Sequence, residues 1–301
     1  MTENVLIFDH GQIEVYNRVS PSNKTYDVAQ GYESYNRSAV RVGSRVYLSH
    51  AGFTDDLAVV DVLRHRWLGK TQPLPVGVRG HVVSSDRAHV YVCGGQDETG
   101  KVMADCVRLA VWDTGPVNKS SWTNVPPMSQ ARRHATAATY NDNVYVFGGE
   151  DDDESPNTLA SAEMLDTRKC EWQTLEPMPT ARQMAACARL GKHIYVSGGM
   201  NNDGDTVNVV ERYEPKTNTW LTLQPMKHHR HAHQMVMNKG QLMCIAGRDD
   251  DDEPMDSVEV YEPETNEWSV VEEHHCLSAH AQCAAVVVGG EPHPGYACNP
   301  M

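Results

Sequence analysis

Short runs of alternating apolar and polar residues recur along the chain, commonly bounded by glycine, proline or charged residues. Two clear examples are VERYEP at residues 210–215 and VEVYEP at residues 258–263. Alternation with a period of two, together with many β-branched residues, predicts β-strands that turn one face to a core. No run has the length and the periodicity of an amphipathic helix, so the pattern predicts an all-β protein.

The predicted strands belong to a repeat of about 50 residues. Five tryptophans are spaced 55, 50, 48 and 48 residues apart, and a pair of small residues ending in glycine precedes each one. Four short strands, named a to d from the inside outwards, fit into each repeat. One four-stranded sheet cannot bury both of its faces, but a ring of such sheets can. The tryptophans are Trp67, Trp122, Trp172, Trp220 and Trp268, and the pairs are Ala51-Gly52, Gly94-Gly95, Gly148-Gly149, Gly198-Gly199 and Ala246-Gly247.

These linked features resemble the kelch repeat, and the wording ERYEPKTNTW at residues 211–220 looks most like the BTB-kelch (kelch-like) family. The resemblance covers essentially the whole chain. It implies a six-bladed β-propeller of four-stranded kelch blades, in which a C-terminal strand closes the first blade. The remainders at the two chain ends fit this closure, because together they supply the four strands of one further blade.

The expected boundaries follow from this count. Residues 1–30 supply strands b to d of the closing blade, residues 36–279 form five complete repeats, residues 280–290 supply strand a, and residues 291–301 are a tail. No region with the helical periodicity of a BTB or BACK domain is present in the sequence. A C-terminal domain of a longer protein is therefore favoured over a bare propeller.

The charge of the chain is strongly negative and unevenly placed. The formal net charge is −14, which disfavours binding to nucleic acid and to anionic membranes. The predicted b–c loops carry −16 between them, so they account for the whole excess. An acidic rim that attracts a basic partner is one interpretation, with Asp152, Asp250 and Asp252 as contact residues. Solvated loop tips without a partner are the other.

The d–a loops carry the opposite character, because an arginine opens most of the repeats. In kelch-like proteins, residues at this position line a central pocket that grips an extended partner segment. Position alone leaves a structural alternative, in which each guanidinium ties neighbouring blades through backbone carbonyls. The resemblance implies a partner site made of Arg37, Arg79, Arg133, Arg182 and Arg230, with Tyr32 and Tyr35 as aromatic walls and His280 in place of the sixth arginine.

Motifs for catalysis and cofactors are absent from the sequence, so neither an enzyme nor a cofactor is predicted. The Asp-rich loops lack the DxDxDG spacing of a calcium loop. The histidines at 228–233 are dense, but an exposed His-rich loop is commoner than a zinc site. Eight cysteines without a CxxC pair, and no secretory or membrane-spanning signal, predict free thiols and a cytoplasmic location.

A protein-interaction module is the leading functional prediction. By resemblance, it would be the substrate-recognition domain of a kelch-like adaptor, whose BTB part joins a cullin-type E3 ubiquitin ligase. The rival is a structural protein that binds actin. A sugar-processing kelch enzyme is a third and weaker alternative.

Overall fold

The fold was analysed in a computed structural model of the chain. It describes residues 4–9, 12–16, 24–27, 36–50, 52–64, 66–111, 115–151, 157–271 and 284–288. Within these ranges every regular element is a β-strand. No described helix is long and apolar enough to cross a membrane.

The described residues contain 24 strands. They are β1 (Asn4–Asp9), β2 (Gln12–Tyr16), β3 (Lys24–Asp27), β4 (Asn36–Val42), β5 (Arg45–His50), β6 (Ala58–Asp61), β7 (Arg66–Lys70), β8 (Val82–Ser85), β9 (His89–Cys93), β10 (Cys106–Ala110), β11 (Trp122–Val125), β12 (Thr136–Tyr140), β13 (Asn143–Phe147), β14 (Ala162–Asp166), β15 (Glu171–Leu175), β16 (Ala186–Leu190), β17 (His193–Ser197), β18 (Val210–Glu214), β19 (Thr219–Thr222), β20 (Gln234–Asn238), β21 (Gln241–Ile245), β22 (Val258–Glu262), β23 (Glu267–Val270) and β24 (Ala284–Val288).

The strands form antiparallel sheets of four, which confirms the prediction of an all-β propeller built from four-stranded blades. Six such sheets are described: β4–β7, β8–β11, β12–β15, β16–β19, β20–β23, and a sheet in the order β24-β1-β2-β3. In the last sheet, the C-terminal strand β24 pairs with the N-terminal strand β1, with Phe8 opposite Ala284. The inner strands β4, β8, β12, β16, β20 and β24 contact one another in cyclic order around a central channel.

The core lies between neighbouring blades rather than inside any one of them. One cluster packs Phe147 and Ala162 of the β12–β15 blade against Ile194, Val196 and Tyr213 of the next blade. Strands b are the most buried elements, because each lies between two other strands and faces a blade on both sides. The β-branched and aromatic residues that fill these strands suit such a two-sided environment.

The tryptophans of strands d link successive blades at the outer edge. Four of the indole Nε1 atoms donate a hydrogen bond to a backbone carbonyl in the segment that leaves the preceding blade, for example Trp172 to Pro126 O at 2.7 Å. Trp220 makes the same bond to Glu176 O at 2.9 Å. The ring thus fills space between blades while its polar edge is satisfied. The corresponding bonds of the other described blades are Trp122 to Gln72 O at 2.8 Å and Trp268 to Gln224 O at 3.1 Å.

Candidate functional site

One end of the propeller, here called the loop face, is built from the segments that join strands b to c and strands d to the next a. The b–c segments and the d–a segments are joined by short antiparallel bridges. Each bridge places one residue before an inner strand opposite one residue after a glycine pair. Four described bridges are of this kind: Arg79 with Gln96, Arg133 with Glu150, Gln183 with Met200, and His231 with Arg248, the last after the Ala246-Gly247 pair; a fifth joins Thr54 with Val78.

The loop face opens into the central channel, which has a cavity volume of about 170 Å³. Residues of the inner strands of all six sheets line it, and many of them are alanines. Small side chains keep the channel open because the inner strands converge there. The channel and the surrounding bridges therefore form a concave site on a rigid scaffold, the common setting for recognition loops.

A belt of backbone hydrogen bonds surrounds the described part of the channel mouth. The amide of His134 donates to Gly80 O at 2.6 Å, Met184 donates to His134 O at 2.9 Å, and Ala232 donates to Met184 O at 2.9 Å. All four residues have positive φ, between 50° and 63°. Four different residue types occupy this position, and three of them are not glycine, so no sequence signal predicted the belt.

Arg79 and Arg133 lie in the bridges that surround the mouth, and their role as partner contacts stays a prediction. The Nε of Arg79 donates to Gln96 Oε1 at 2.7 Å, and the Nε of Arg133 donates to Glu150 Oε1 at 2.7 Å. Arg79 is exposed and Arg133 is half-buried. The Arg79 side chain therefore stands at the surface that a partner segment would meet, whereas the Arg133 side chain is 15% exposed.

Arg182 and Arg230 do not lie at the mouth, and their prediction as partner contacts is wrong. Arg182 is 1% exposed and its Nη2 lies 2.8 Å from Glu211 Oε2. Arg230 is fully buried and its Nη2 lies 2.8 Å from Glu259 Oε1. Their guanidinium groups also donate to backbone carbonyls at the end of strand b and before strand c, such as Arg230 to Ala246 O at 2.9 Å. The structural alternative therefore holds for these two residues.

A third member of this buried class, Arg132, was missed because its neighbour Arg133 was chosen instead. Arg132 is 1% exposed, and its Nη2 lies 2.8 Å from Glu163 Oε1. The spacing to the glycine pair separates the two classes: a buried arginine donates to the carbonyl 16 residues later, and a mouth arginine bonds to the side chain 17 residues later. Counting back from each glycine pair would have found this difference.

The remaining predicted contacts have mixed positions. Asp250 and Asp252 lie on the loop face with side chains 63% and 70% exposed. Asp250 Oδ1 is 3.1 Å from His229 Nδ1, and Asp252 accepts from Arg248 and lies 3.3 Å from His231 Nε2. Arg37 is part of β4, but its side chain lies outside the described part. Tyr32, Tyr35, Asp152 and His280 lie outside the described residues.

The histidines at 228–233 each have a separate protein partner. His228 Nδ1 lies 3.1 Å from Glu259 Oε1, and His231 Nδ1 lies 3.1 Å from Thr206 Oγ1. His233 Nε2 lies 2.8 Å from Ser197 Oγ. In the described part of the chain, no three histidine, cysteine or acidic residues form a group that could hold a metal ion.

The Ser197–His233 pair has the short contact of a nucleophile and its base, but it does not have access to solvent. Ser197 is fully buried and His233 is 2% exposed. Burial lowers the pKa of His233 well below its usual 6.5, and the charge of Arg230 lowers it further. A neutral, enclosed imidazole of this kind packs the junction between two blades.

Comparison with known proteins gives consistent results. The chain matches the family described as KLHDC2/KLHL20/DRC7 Kelch-repeats domain at residues 34–229 and again at residues 111–292. It is 32% identical to human Kelch-like protein 34 over 124 residues, which covers 38% of this chain and 18% of that protein. The identity to mouse Kelch-like protein 40 is 31% over 111 residues, covering 37% and 17%.

A shorter match, 32% identical over 72 residues, is to Beta-scruin of Limulus polyphemus, and it covers 24% of this chain and 8% of that protein. The chain therefore spans less than a fifth of the length of each of these relatives.

Proposed function

Because this chain belongs to the Kelch-repeats domain family, we propose that it is a protein-interaction module whose partner binds at the loop-face mouth of the channel. The observation that carries the proposal is the division among the arginines. Arg132, Arg182 and Arg230 are buried and tie the blades together, whereas Arg79 and Arg133 present their guanidinium groups at the mouth. The fold does not need the second pair for its core.

The more specific role that we propose is substrate recognition for a cullin-type E3 ubiquitin ligase in the cytoplasm. Two kelch-like proteins are among the relatives of this chain, and the chain matches only a small part of each. In this role, a BTB part outside the sequence given would join the ligase. The propeller would then hold the substrate by its loop face.

Capture of partners from a cell lysate tests the site. The wild type is compared with an Arg79→Ala/Arg133→Ala variant, whose melting curve first shows that it is folded. An Arg168→Ala/Lys169→Ala variant in the turn between β14 and β15 is the matched control, because it removes two exposed charges away from the loop face. We expect a partner that is lost with the mouth variant and kept by the control variant.

A second capture at about 0.5 M salt separates binding to the acidic loops from binding at the mouth, because the Debye length falls to a few ångströms. Contacts that depend only on the exposed carboxylates should weaken first. Partners held equally by all variants would contradict the proposed site. If actin were the main protein among these partners, the role of an actin-binding structural protein would replace the proposed role in substrate recognition.

A further inference from the structure

Arg79 and Arg133 occupy equivalent places in neighbouring blades but have different partners. Each donates from Nε to a side-chain oxygen at 2.7 Å, which is Oε1 of the neutral amide of Gln96 for Arg79 and Oε1 of the carboxylate of Glu150 for Arg133. The geometry is the same in both bridges. The charge of the acceptor is the difference between them.

The charge of Arg133 is compensated by a carboxylate that stays ionised. Burial raises the pKa of Glu150, but hydrogen bonds and charges from His134 and Arg133 outweigh burial, so its pKa is lowered overall. His134 Nδ1 lies 3.0 Å from the same Glu150 Oε1 that accepts from Arg133. Because the pair is largely removed from water, the attraction between its charges is stronger than at an open surface.

Arg79 keeps its positive charge without such compensation. Among the described residues, no carboxylate lies within ion-pair distance of its guanidinium. Gln96 holds the guanidinium in place, because its own Nε2 donates to Gly100 O at 2.8 Å and this fixes which end of the amide faces Arg79. Gln96 is therefore a positioning residue that orients the arginine without neutralising it.

Apolar surface lies next to this uncompensated cation. The Cζ of Arg79 stands over the Phe53 ring, 5.0 Å from its centre, which is a cation–π contact. Phe53 is 45% exposed and Val76 is 48% exposed, both high for large apolar residues. Backbone bonds between Thr54 and Val78, at 2.8 and 3.0 Å, fix the two segments that carry them.

We propose that Arg79, and not Arg133, is the main cationic contact of the loop face, and that the Phe53–Arg79 pair takes a carboxylate beside an apolar side chain of the partner. The carboxylate follows from charge complementarity, because the guanidinium of Arg79 forms no ion pair with a carboxylate of the described residues. The apolar side chain of the partner follows from the exposed ring of Phe53. This inference rests on the proposed function and names the partner chemistry within the same site.

The test is a reciprocal exchange of the two acceptors, Gln96→Glu and Glu150→Gln, beside Arg79→Ala and Arg133→Ala. The probe is the capped peptide acetyl-Gly-Leu-Asp-Gly-amide, titrated by NMR. An aspartate-to-asparagine analogue removes the carboxylate, and acetyl-Gly-Gly-Leu with a free C-terminus moves it to the chain end. The peptide that binds identifies whether the carboxylate comes from a side chain or from a terminus.

We expect Arg79→Ala and Gln96→Glu each to weaken binding of the carboxylate peptide about tenfold, because each change removes a charge-assisted contact. Arg133→Ala should change affinity less than about twofold, because Glu150 compensates its charge. Glu150→Gln should not weaken binding, because it removes a negative charge beside the mouth. A further analogue replaces the leucine beside the aspartate by glycine. This replacement should weaken binding to the wild type and have no effect on binding to Phe53→Ala. Melting curves of all variants, above all Gln96→Glu, show that the loops remain folded.

Equal losses for Arg79→Ala and Arg133→Ala would overturn the inference, as would equal binding of the asparagine peptide or no binding of any carboxylate peptide. These failures are distinct from failure of the proposed function. If the mouth variant still loses its cellular partner while the peptides fail, only the partner chemistry is wrong. If no partner depends on the mouth, the site itself is wrong.

Discussion

Arginines at the blade junctions take one of two roles according to a shift of a single residue. Arg132, Arg182 and Arg230 enter the space between blades, where each meets a glutamate of strand c. Arg79 and Arg133 stay at the channel mouth. The sequence shows that arginines recur at this position, but it does not show which side of the segment each one faces. The side that an arginine faces depends on the left-handed residues and on the bridges of the d–a segments. Different residue types form both features, so the sequence does not reveal it.

Glu259→Gln should strongly destabilise the fold. Glu259 is fully buried and accepts from Arg230 Nη2 at 2.8 Å, from the amide of Lys227 at 2.6 Å and from that of His228 at 3.1 Å. The amide substitution leaves the Arg230 charge buried without a counter-ion, which costs about 3 kcal/mol. Urea unfolding measures this loss.

The matched control for this change is Glu264→Gln, which replaces an exposed glutamate in the turn between β22 and β23. A surface change of this kind should alter the free energy of unfolding by no more than about 0.5 kcal/mol. Similar values for the two variants would mean that the buried pair does not hold the blade junction.

His233 should make stability depend on pH. Its pKa in the folded protein is well below 6.5, because of burial and then the charge of Arg230. Below pH 6.5 the unfolded chain binds a proton at this histidine and the native chain does not, so stability falls as pH decreases. Between pH 7.5 and 5.5 the loss from one such group is about 1.4 kcal/mol.

His233→Ala isolates this contribution, because Ala135 and Ala185 occupy the equivalent position in two other blades. Urea unfolding at the two pH values should show a smaller pH-dependent loss for the variant, by about the amount given above. Parallel losses in the two proteins would show that His233 takes up its proton equally in both states.

At the scale of the elements, the strands and the paired glycines were predictable and the contacts between blades were not. Period-two alternation located strands c, and short apolar runs ahead of the small-Gly pairs located strands b, which are covered by blades on both faces. The glycine pairs were predicted to supply positive φ, and Gly148 and Gly149 have φ of 63° and 96°. The sequence did not reveal that the first glycine faces the carbonyl of the next buried arginine.

Gly148→Ala should destabilise more than Gly191→Ala, although both glycines have φ near 60°. A Cβ at Gly148 would meet Arg182 O of the adjoining d–a segment, whereas nothing lies within 4 Å of one at Gly191. The left-handed backbone alone should cost about 1 kcal/mol, and the close approach should add about 2 kcal/mol. Thermal or urea unfolding compares the two variants, and equal losses would contradict the contact.

Ala246 shows that alanine is tolerated at one such position, with φ of 58°. Left-handed backbone by itself therefore accepts an alanine. The comparison of Gly148 with Gly191 isolates the effect of the facing carbonyl, because the two glycines have nearly the same φ.

At the scale of the whole molecule, the six sheets and the pairing of β24 with β1 leave a rigid ring whose loop face carries most of the chemistry. The repeat gave this architecture because one motif recurs along most of the chain. The site was only half predictable, since two of the predicted arginines, Arg182 and Arg230, are buried. Asp250 and Asp252 are exposed on the loop face, and the acidic rim with its basic partner stays a prediction.

Hydrogen–deuterium exchange of the propeller, alone and with a captured partner, tests the central claim most directly. We expect the partner to protect amides at the mouth, within residues 76–81, 94–105 and 129–135, because these segments carry Arg79 and Arg133 and the bridges that hold them. The turns at residues 167–170 and 215–218, away from the loop face, should exchange unchanged. Protection confined to those turns, with the mouth unaffected, would contradict the account.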